Sequence, residues 1–450
     1  PHIRMAAQIS PGPIESLFYL WPENLGVDAR AWMRAHLAGG RLTESRITYR
    51  WPPLGPAAVA PGVPREQMSI AISGEGVALA GVAPSGLVVA PKALLNVTDT
   101  SLELAMPTAE LTIAGTKPLG LRQLRFEIDD IWRPDLTGNL AATIDGPLRS
   151  AARFVMSKTT LRPHIAERVE AVAAKAGGQV TGKLQLALPL DGRSLSEPRP
   201  TGEIRITGAR LPNIAPGHNL SGGRLDITLA EKVVTARGDL LIDGVAAKLD
   251  WHHVYDADRA RQPPIRLRAN LDETDRDKLG ININHILRGI LQVEILIAER
   301  QDGTYRTEAR VDAKKAQISV ESLAWVKPAG GDTLIDFEVV PDQANGVALE
   351  KLRIAGDGIA IQGRAMLDRK FALRAFEFPS FSIDRVTRLS LSGRLAKSNV
   401  WRVDVKGQTY EGSSLFRSLF NAGQVKGGLN VEDSKQPGVD LQAEIKTVLG

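Results

Sequence analysis

The feature of this sequence that most limits its fold is the alternation of apolar and polar residues in many short runs. In residues 223–229, the apolar side chains Leu225, Ile227 and Leu229 alternate with charged or hydroxyl side chains. Because successive strand residues point to opposite sides, this pattern predicts a strand with one apolar face. The same pattern recurs in residues 202–207, 264–271, 333–339 and 401–406. Turn residues separate the runs by ~8–12 positions, which is typical of an all-β meander, and the whole chain supplies on the order of 25 strands.

A loose motif of Thr or Ser followed by Gly recurs in these runs. It occurs at Thr137-Gly138, Thr181-Gly182 and Thr201-Gly202, with relatives at Ser221-Gly222 and Ser392-Gly393. Glycine tolerates the positive φ of turns and bulges. The recurrence therefore predicts one hairpin unit used many times, with the glycine placed where one strand turns into the next.

Three segments with helical periodicity interrupt the meander, near residues 28–38, 149–177 and 275–291. The first carries Trp32, Met33 and Leu37 on one face and is followed by Gly39-Gly40, which predicts a short capped helix. Short amphipathic helices of this kind usually cover an edge or an end of a sheet, and we expect that role here. Apart from these interruptions, residues 1–450 are predicted to form one elongated β region.

Composition and charge exclude several functional classes. The chain has no Cys, which rules out disulfides, a thiolate nucleophile and a Cys-ligated metal. Its 56 Lys and Arg residues are interspersed with 51 Asp and Glu residues, so we expect no nucleic-acid partner. No window reaches the ~18 apolar residues of a membrane helix. The sequence starts at Pro1 with no leader pattern, so we expect a trimmed piece whose targeting or anchoring segment, if there is one, was left out.

No motif predicts an enzyme, a cofactor or a metal site. Residues 177–183 match the spacing of a phosphate-binding loop, but Leu184 stands where Ser or Thr would bind magnesium, and the match precedes a predicted strand. His252 and His253 are adjacent in a predicted strand, so their rings point to opposite faces. The acids at positions 272, 273, 275 and 277 lack calcium-loop spacing and fit the first turn of a helix.

Two functions remain open for a β chain of this kind. A curled sheet with a small-aliphatic inner face could form a trough for acyl chains, whereas the low aromatic content (7 Trp, 5 Tyr, 10 Phe) disfavours binding of sugars or bases. The alternative is a structural or adhesion scaffold of the cell envelope, built of closed β-sandwich units with filled cores. The residues predicted to line the trough are Leu225, Ile227, Leu229, Leu267, Leu271, Val293, Ile295, Ile335, Phe337, Val339, Val403 and Val405. A register error of one residue would turn any of these sets outward.

Several segments distributed over the chain resemble one known family. They are Leu20-Trp21-Pro22-Glu23-Asn24-Leu25, Ala29-Arg30-Ala31-Trp32-Met33, Leu37-Ala38-Gly39-Gly40-Arg41-Leu42, Asp145-Gly146-Pro147-Leu148, residues 177–189, Gly244-Val245-Ala246-Ala247 before Trp251, Trp401-Arg402-Val403 through Gly407, Tyr410-Glu411, and Phe416-Arg417-Ser418-Leu419. Together they resemble the conserved region of YhdP-type members of the AsmA-like family. The family's usual N-terminal membrane helix has no counterpart here.

The resemblance implies a fold and a function. The fold would be an elongated, twisted antiparallel β-sheet curled into a continuous hydrophobic groove, the repeating β-groove, with a few short amphipathic helices. The function would be a segment of a lipid-transfer bridge that carries phospholipid across the periplasm. The full-length protein would be anchored in the inner membrane and would reach the inner and outer membranes through segments not in this chain. We expect a monomer.

Overall fold

The computed structural model describes residues 3–20, 27–51, 68–81, 86–131, 133, 136–158, 174–190, 199–215, 217–258, 261–320, 325–342, 346–369, 371–383, 386–411 and 438–449. Most of these residues lie in strands, and the helices are few and short. The strand pairs are antiparallel with one parallel exception at the C-terminal end. The mostly β prediction is therefore confirmed.

The strands are β1 (Ile3–Ile9), β2 (Gly12–Pro13), β3 (Leu37–Trp51), β4 (Met68–Ala80), β5 (Gly86–Thr98), β6 (Leu102–Ile113), β7 (Leu119–Ile128), β8 (Thr137–Pro147), β9 (Gly177–Pro189), β10 (Pro200–Ala215), β11 (His218–Leu229), β12 (Val233–Ile242), β13 (Val245–Val254), β14 (Ile265–Leu271), β15 (Leu287–Gly289), β16 (Leu291–Glu299), β17 (Tyr305–Asp312), β18 (Ala316–Val320), β19 (Trp325–Lys327), β20 (Thr333–Asp342), β21 (Gly346–Gly356), β22 (Ile359–Leu367), β23 (Leu373–Ile383), β24 (Thr387–Leu395), β25 (Val400–Glu411) and β26 (Gly438–Leu449). The helices are a 3₁₀ turn (Ile14–Ser16), α1 (Leu17–Leu20), α2 (Val27–His36), α3 (Leu148–Lys158) and α4 (Glu273–Lys278).

The chain divides into two compact units, Pro1–Gly238 and Asp239–Gly450. In the first unit, β3 to β11 form an antiparallel meander in which each strand pairs with the next, and β1 and β2 pair with β3. Its core lies on one face of this sheet, where Ile14 and Leu17 of the helical N-terminal segment join buried side chains of β3 to β9. Ala151 and Phe154 of α3 pack against the same core.

The second unit contains a larger and a smaller sheet. The larger sheet runs β13, β14, β16, β17, β20, β21, β22, β23, β24 and β25 in antiparallel pairs, followed by β26, which pairs with β25 in parallel. The smaller sheet consists of β15, β18 and β19. Its buried residues Leu287, Ile318 and Trp325 share one core with the larger sheet.

The helical predictions meet mixed outcomes. Helix α2 confirms the first, although it ends at His36 and Gly39-Gly40 already belong to β3. Helix α3 lies at the start of the second segment, while residues 159–173 fall outside the described residues. The third prediction is too long, because α4 spans only Glu273–Lys278 and Gly280 follows it with a φ of 74°. A residue in this left-handed region ends a helix, and the chain continues as a loop and as β15 and β16.

The Thr/Ser-Gly motif lies inside strands rather than at turns, which corrects its predicted role. Gly393 in β24 stands directly opposite Phe376 in β23, and a Cβ at Gly393 would lie 2.5 Å from the Phe376 ring. A Cβ at Gly138 in β8 would lie 2.4 Å from the ring of Phe126. At both positions glycine leaves room for a neighbouring aromatic ring to lie flat on the sheet, which a side chain would prevent.

One buried guanidinium group holds the loop after α4 against the large sheet. The side chain of Arg276 is fully buried. Its Nε donates to Asn284 Oδ1 at 2.7 Å, and its Nη1 donates to the carbonyl oxygen of Gly289 at 2.7 Å and to that of Leu271 at 3.1 Å. Nη2 donates to the carbonyl oxygen of Leu287 at 3.1 Å. One side chain thereby satisfies carbonyl groups of β14 and β15 that would otherwise be buried without a partner.

We predict that Arg276→Met lowers the free energy of unfolding by about 3–5 kcal/mol, because it leaves several buried carbonyl oxygens without donors. Urea denaturation followed by circular dichroism measures the change. The control is Arg288→Met on β15, where the side chain is exposed and the expected change is within about 0.5 kcal/mol. Equal midpoints for the two variants would refute the role assigned to Arg276.

Candidate functional site

Apolar side chains from successive strands of the second unit line up into continuous rows on one face of the large sheet. The strand register places them directly opposite one another across neighbouring strands. One row consists of Ala247, Ala269, Val293, Val311, Ile335, Ile354, Ile361, Phe381, Leu389, Gly407 and Ile445. A second consists of Leu249, Leu267, Ile295, Ala309 and Phe337. On this face, the apolar residues of each strand therefore lie next to apolar residues of the neighbouring strands.

Burial of this face falls from one end of the strands to the other. At one end, Leu271, Leu291 and Ile383 are buried beneath the small sheet and the loop after α4. At the other end, Tyr305 is 60% exposed and Leu373 is 40% exposed. Between these ends lies a half-buried strip made of Leu249, Leu267, Val293, Ile295, Ile335, Phe337, Val339, Val403 and Val405, which we call the open strip of unit 2. Solvent reaches these side chains, all of which are aliphatic except Phe337.

The first unit carries a similar strip on β9, β10 and β11. The residues of these strands alternate between exposed and half-buried, and the half-buried ones are mostly apolar. The strand register aligns Val180 with Ile206 and Leu225, and Gly182 with Ile204 and Ile227. The half-buried members, which we call the open strip of unit 1, are Leu184, Leu186, Leu188, Ile204, Ile206, Leu225, Ile227 and Leu229.

All twelve residues predicted to line a trough lie on these apolar faces. Eleven are half-buried, and the twelfth, Leu271, is 5% exposed and belongs to the core at the covered end. The predicted alternation is thus correct at the level of the strand face. The structure groups Leu225, Ile227 and Leu229 in unit 1 and the other nine in unit 2.

The sequence analysis did not identify the apolar face of β4 to β7 as part of the pattern. Ile70 and Ile72 of β4, with Val88 of β5 and Leu111 of β6, form much of the buried core of unit 1. The alternation that could have revealed it is present in residues 69–72, where Ile70 and Ile72 are separated by alanine. Because alanine is itself apolar, the alternation of apolar and polar residues is hard to recognise in this segment.

The opposite, polar face of β14 to β20 carries several ion pairs. Arg268 Nε lies 2.8 Å from Glu294 Oε1, and Arg310 Nε lies 2.8 Å from Asp336 Oδ1. The hydrogen bond from Arg310 to Asp336 raises the pKa of that guanidinium group. Each pair is exposed, so its own contribution to stability is small. Their main effect is that opposite charges meet across neighbouring strands at these positions, which favours the observed register.

A single carboxylate, Glu338 on β20, is the exception because it is mostly buried. Three cations surround it: Lys351 Nζ at 2.9 Å, Arg300 Nη2 at 3.0 Å and Arg306 Nε at 3.5 Å. The hydrogen bond from Lys351 is the main cause of the lowered pKa of Glu338. Lys351 itself has a φ of 54°, at a point where the β20–β21 register shifts by one residue. This bulge positions the ammonium group next to the carboxylate.

Lys327, His252 and His253, three side chains of types that can act in catalysis, make structural contacts. The buried Lys327 has a lowered pKa because of desolvation, which resembles an activated lysine. Its Nζ, however, donates to the carbonyl oxygens of Ala313 and Ala316, each at 2.7 Å. His252 bonds Asp250 at 2.8 Å, while His253 stacks on Trp251 on the other side of β13. Among the described residues there is no group of three acidic or histidine side chains that could hold a metal ion.

The four acids around the start of α4 have structural partners. Asp272 caps the helix by accepting a hydrogen bond from the Asp275 backbone N–H at 2.8 Å. Glu273 accepts from the backbone N–H of Gly289 at 2.5 Å, which lowers the pKa of its carboxyl group. Asp275 accepts a hydrogen bond from Lys278 Nζ at 3.0 Å, and Asp277 accepts one from Asn284 Nδ2. These carboxylates fix the helix and its loop rather than converge on a cation.

Comparison with known proteins identifies no relative. No protein-family profile, no curated protein and no solved structure matches the chain. Within the part of the chain that the structure describes, no helix has the length and hydrophobicity needed to cross a membrane. The open strips are the surface feature that we use to propose a function.

We predict that Glu338→Gln destabilises the protein by about 2 kcal/mol at pH 7, since the carboxylate loses charged hydrogen-bond partners. Glu338 has a native pKa below its usual 4.5, so its stabilising contribution is present above pH 4.5 and is lost as the pH falls through the native pKa. The difference between wild type and variant should shrink in acid. Denaturation curves from pH 7 to pH 3 measure it, with Asp404→Asn on the exposed face of β25 as the control. A difference that does not change with pH would contradict this assignment.

Proposed function

We propose that this chain is a lipid-binding segment that holds acyl chains of phospholipids on its open strips, as part of a lipid-transfer bridge. The observation that carries the proposal is the continuity of the half-buried aliphatic face. In unit 2, Leu267, Ile295 and Phe337 lie in one row across the sheet, and no charged side chain interrupts that row. A face of this kind is unfavourable in water unless an apolar ligand or partner covers it.

The chemistry of the strips favours acyl chains over other apolar ligands. The side chains are mainly Val, Leu and Ile, which offer a smooth surface without the stacking platforms that sugars or bases use. Each methylene group removed from water contributes ~0.8 kcal/mol, so a chain of a dozen or more methylenes is held firmly in total. Because neighbouring positions on the strip are chemically similar, a bound chain can shift along it at little cost.

The cellular setting of the proposal rests on the resemblance to YhdP-type members of the AsmA-like family. Under that proposal the sheet curls into a groove, phospholipid headgroups remain in water at the groove's open side, and the chain works in the periplasm between the two membranes. The attachment to the inner membrane and the contact with the outer membrane belong to other segments of the full-length protein. Transfer along the groove is passive and needs no catalytic residue.

We predict that the protein purified without detergent from a Gram-negative host carries two-chain phospholipids. Native mass spectrometry and lipid extraction should detect them above the level of a soluble control protein. Ile227→Glu and Ile295→Glu should weaken lipid binding to unit 1 and unit 2 respectively, by roughly thirtyfold at the altered position, because each removes about 2 kcal/mol of apolar contact. Both variants should still fold, since a carboxylate on a half-buried face can reach water.

The matched control is Thr228→Glu, which adds the same charge to the same strand but on the exposed face. It should retain the lipid content of the wild type. Lipid-free wild-type protein in several preparations would contradict the proposal. Precipitation of both isoleucine variants alongside a soluble Thr228→Glu protein would instead indicate filled cores, as expected for an envelope scaffold.

A further inference from the structure

A second candidate binding surface lies on the opposite, polar face of unit 2. An open concavity with a volume of about 630 Å³ is lined by Pro379, Ser380, Phe381, Ser382, Arg388, Leu389, Ser390, Lys406, Gly407, Gln408, Glu444 and Lys446. Phe381 and Leu389 are buried on the apolar face, so they contribute mainly backbone to the concavity. The side chains that project into solvent there belong to the polar positions of β23 to β26.

Two β-bulges shape this concavity. The pairing of β23 with β24 shifts register between Phe378 and Phe381, where Pro379 and Ser380 together face Ser390. The pairing of β24 with β25 shifts between Arg388 and Leu389, where Gln408 is the extra residue. A bulge bends its strand and redirects the side chains beside it, and bulges are frequent next to functional sites. Here both bulges lie within the lining of the same concavity.

The charged groups of the concavity are unpaired, unlike those on β14 to β20. Arg388, Lys406 and Lys446 are exposed, and none of them makes an ion pair among the described residues. Lys406 stands opposite Glu444 in the register of β25 with β26, and Lys446 lies two residues further along. Among the described residues of the lining, Glu444 is the only carboxylate, so the three cations leave an excess of two positive charges there.

Serine hydroxyl groups add hydrogen-bond donors to the lining. The hydroxyl groups of Ser380, Ser382 and Ser390 line the concavity between the cations. Ser390 Oγ lies 3.4 Å from the carbonyl oxygen of Lys406, too far for a strong hydrogen bond, so its hydroxyl group remains able to donate to a ligand.

We propose that this concavity binds a phosphate group, held by Arg388, Lys406 and Lys446 with hydrogen bonds from the serine hydroxyls. Guanidinium and ammonium groups at adjacent strand positions match the several acceptor oxygens of a phosphate. The site lies on the face opposite the open strip, so it is independent of acyl-chain binding. The phosphate could belong to a small soluble phosphate ester or to a lipid headgroup at a membrane surface, and the chemistry of recognition is the same.

The proposal is tested by measuring binding of two probes to the whole chain. Isothermal titration with sodium phosphate against sodium chloride at equal ionic strength tests the soluble source. Flotation with phosphatidylcholine vesicles, with and without phosphatidylglycerol, tests the headgroup source. We expect phosphate-specific binding in one or both experiments. The double variant that combines Arg388→Gln with Lys406→Gln should weaken this binding about tenfold or more. Binding of phosphate alone indicates a soluble ester, and binding only to the anionic vesicles indicates a headgroup.

The matched control is Lys397→Gln, which removes one exposed positive charge from the turn between β24 and β25, outside the lining. It should bind like the wild type. Lys446→Gln, on the exposed edge strand β26, provides a second test if the double variant fails to fold. The proposal would be overturned if neither phosphate nor the anionic vesicles bind. It would also be overturned if Lys397→Gln weakens binding as much as the double variant does. Ile295→Glu should leave phosphate binding unchanged, which separates this site from the lipid proposal.

Discussion

This structure depends on the register of its antiparallel strands, which places apolar residues directly opposite apolar residues of the neighbouring strand. A period of two places apolar residues on one face of each strand, and the register decides whether these residues meet across strands. In unit 2 the register joins Ile295 to Leu267 on one side and to Ala309 on the other. A shift of one residue would place Ile295 opposite charged Arg268 or Glu308. The ion pairs on the polar face favour the same register, since Arg268 meets Glu294 only when Leu267 meets Ile295.

A sheet with one apolar face must cover that face, and each unit does so over only part of its strands. In unit 1 the N-terminal helical segment and α3 supply Leu17 and Phe154 to the core. In unit 2 the small sheet and the loop after α4 cover one end of the strands, with Trp325 buried at the centre of that contact. Arg276 and Lys327 hold these covering pieces in place by donating to backbone carbonyl groups. Many of the remaining apolar side chains stay half-buried, and the lipid-binding function that we propose depends on this partial cover.

The two faces of unit 2 therefore offer different chemistries to ligands. The apolar face presents aliphatic side chains in unbroken rows, while the polar face changes character along the sheet. Around β20 its charges are mutually satisfied, as the three cations at Glu338 illustrate. Around β24 and β25, Arg388 and Lys406 make no ion pair within the described part of the chain, and they lie beside two bulges. The acyl chain and the phosphate group that we propose as ligands match these two surfaces, and the two proposals can succeed or fail separately.

The local pattern by itself determined that the chain is mostly β and which side of each strand is apolar, because strand alternation depends only on neighbouring residues. All twelve predicted residues lie on that apolar side. The tertiary structure decided which of them are covered: Leu271 is buried under the loop after α4, while Ile295 in the neighbouring strand remains half-buried. It also decided that Gly393 sits within a strand facing Phe376 and that Arg388 and Lys406 share one concavity. Each of these depends on contacts between residues distant in the chain, and no local pattern specifies such contacts.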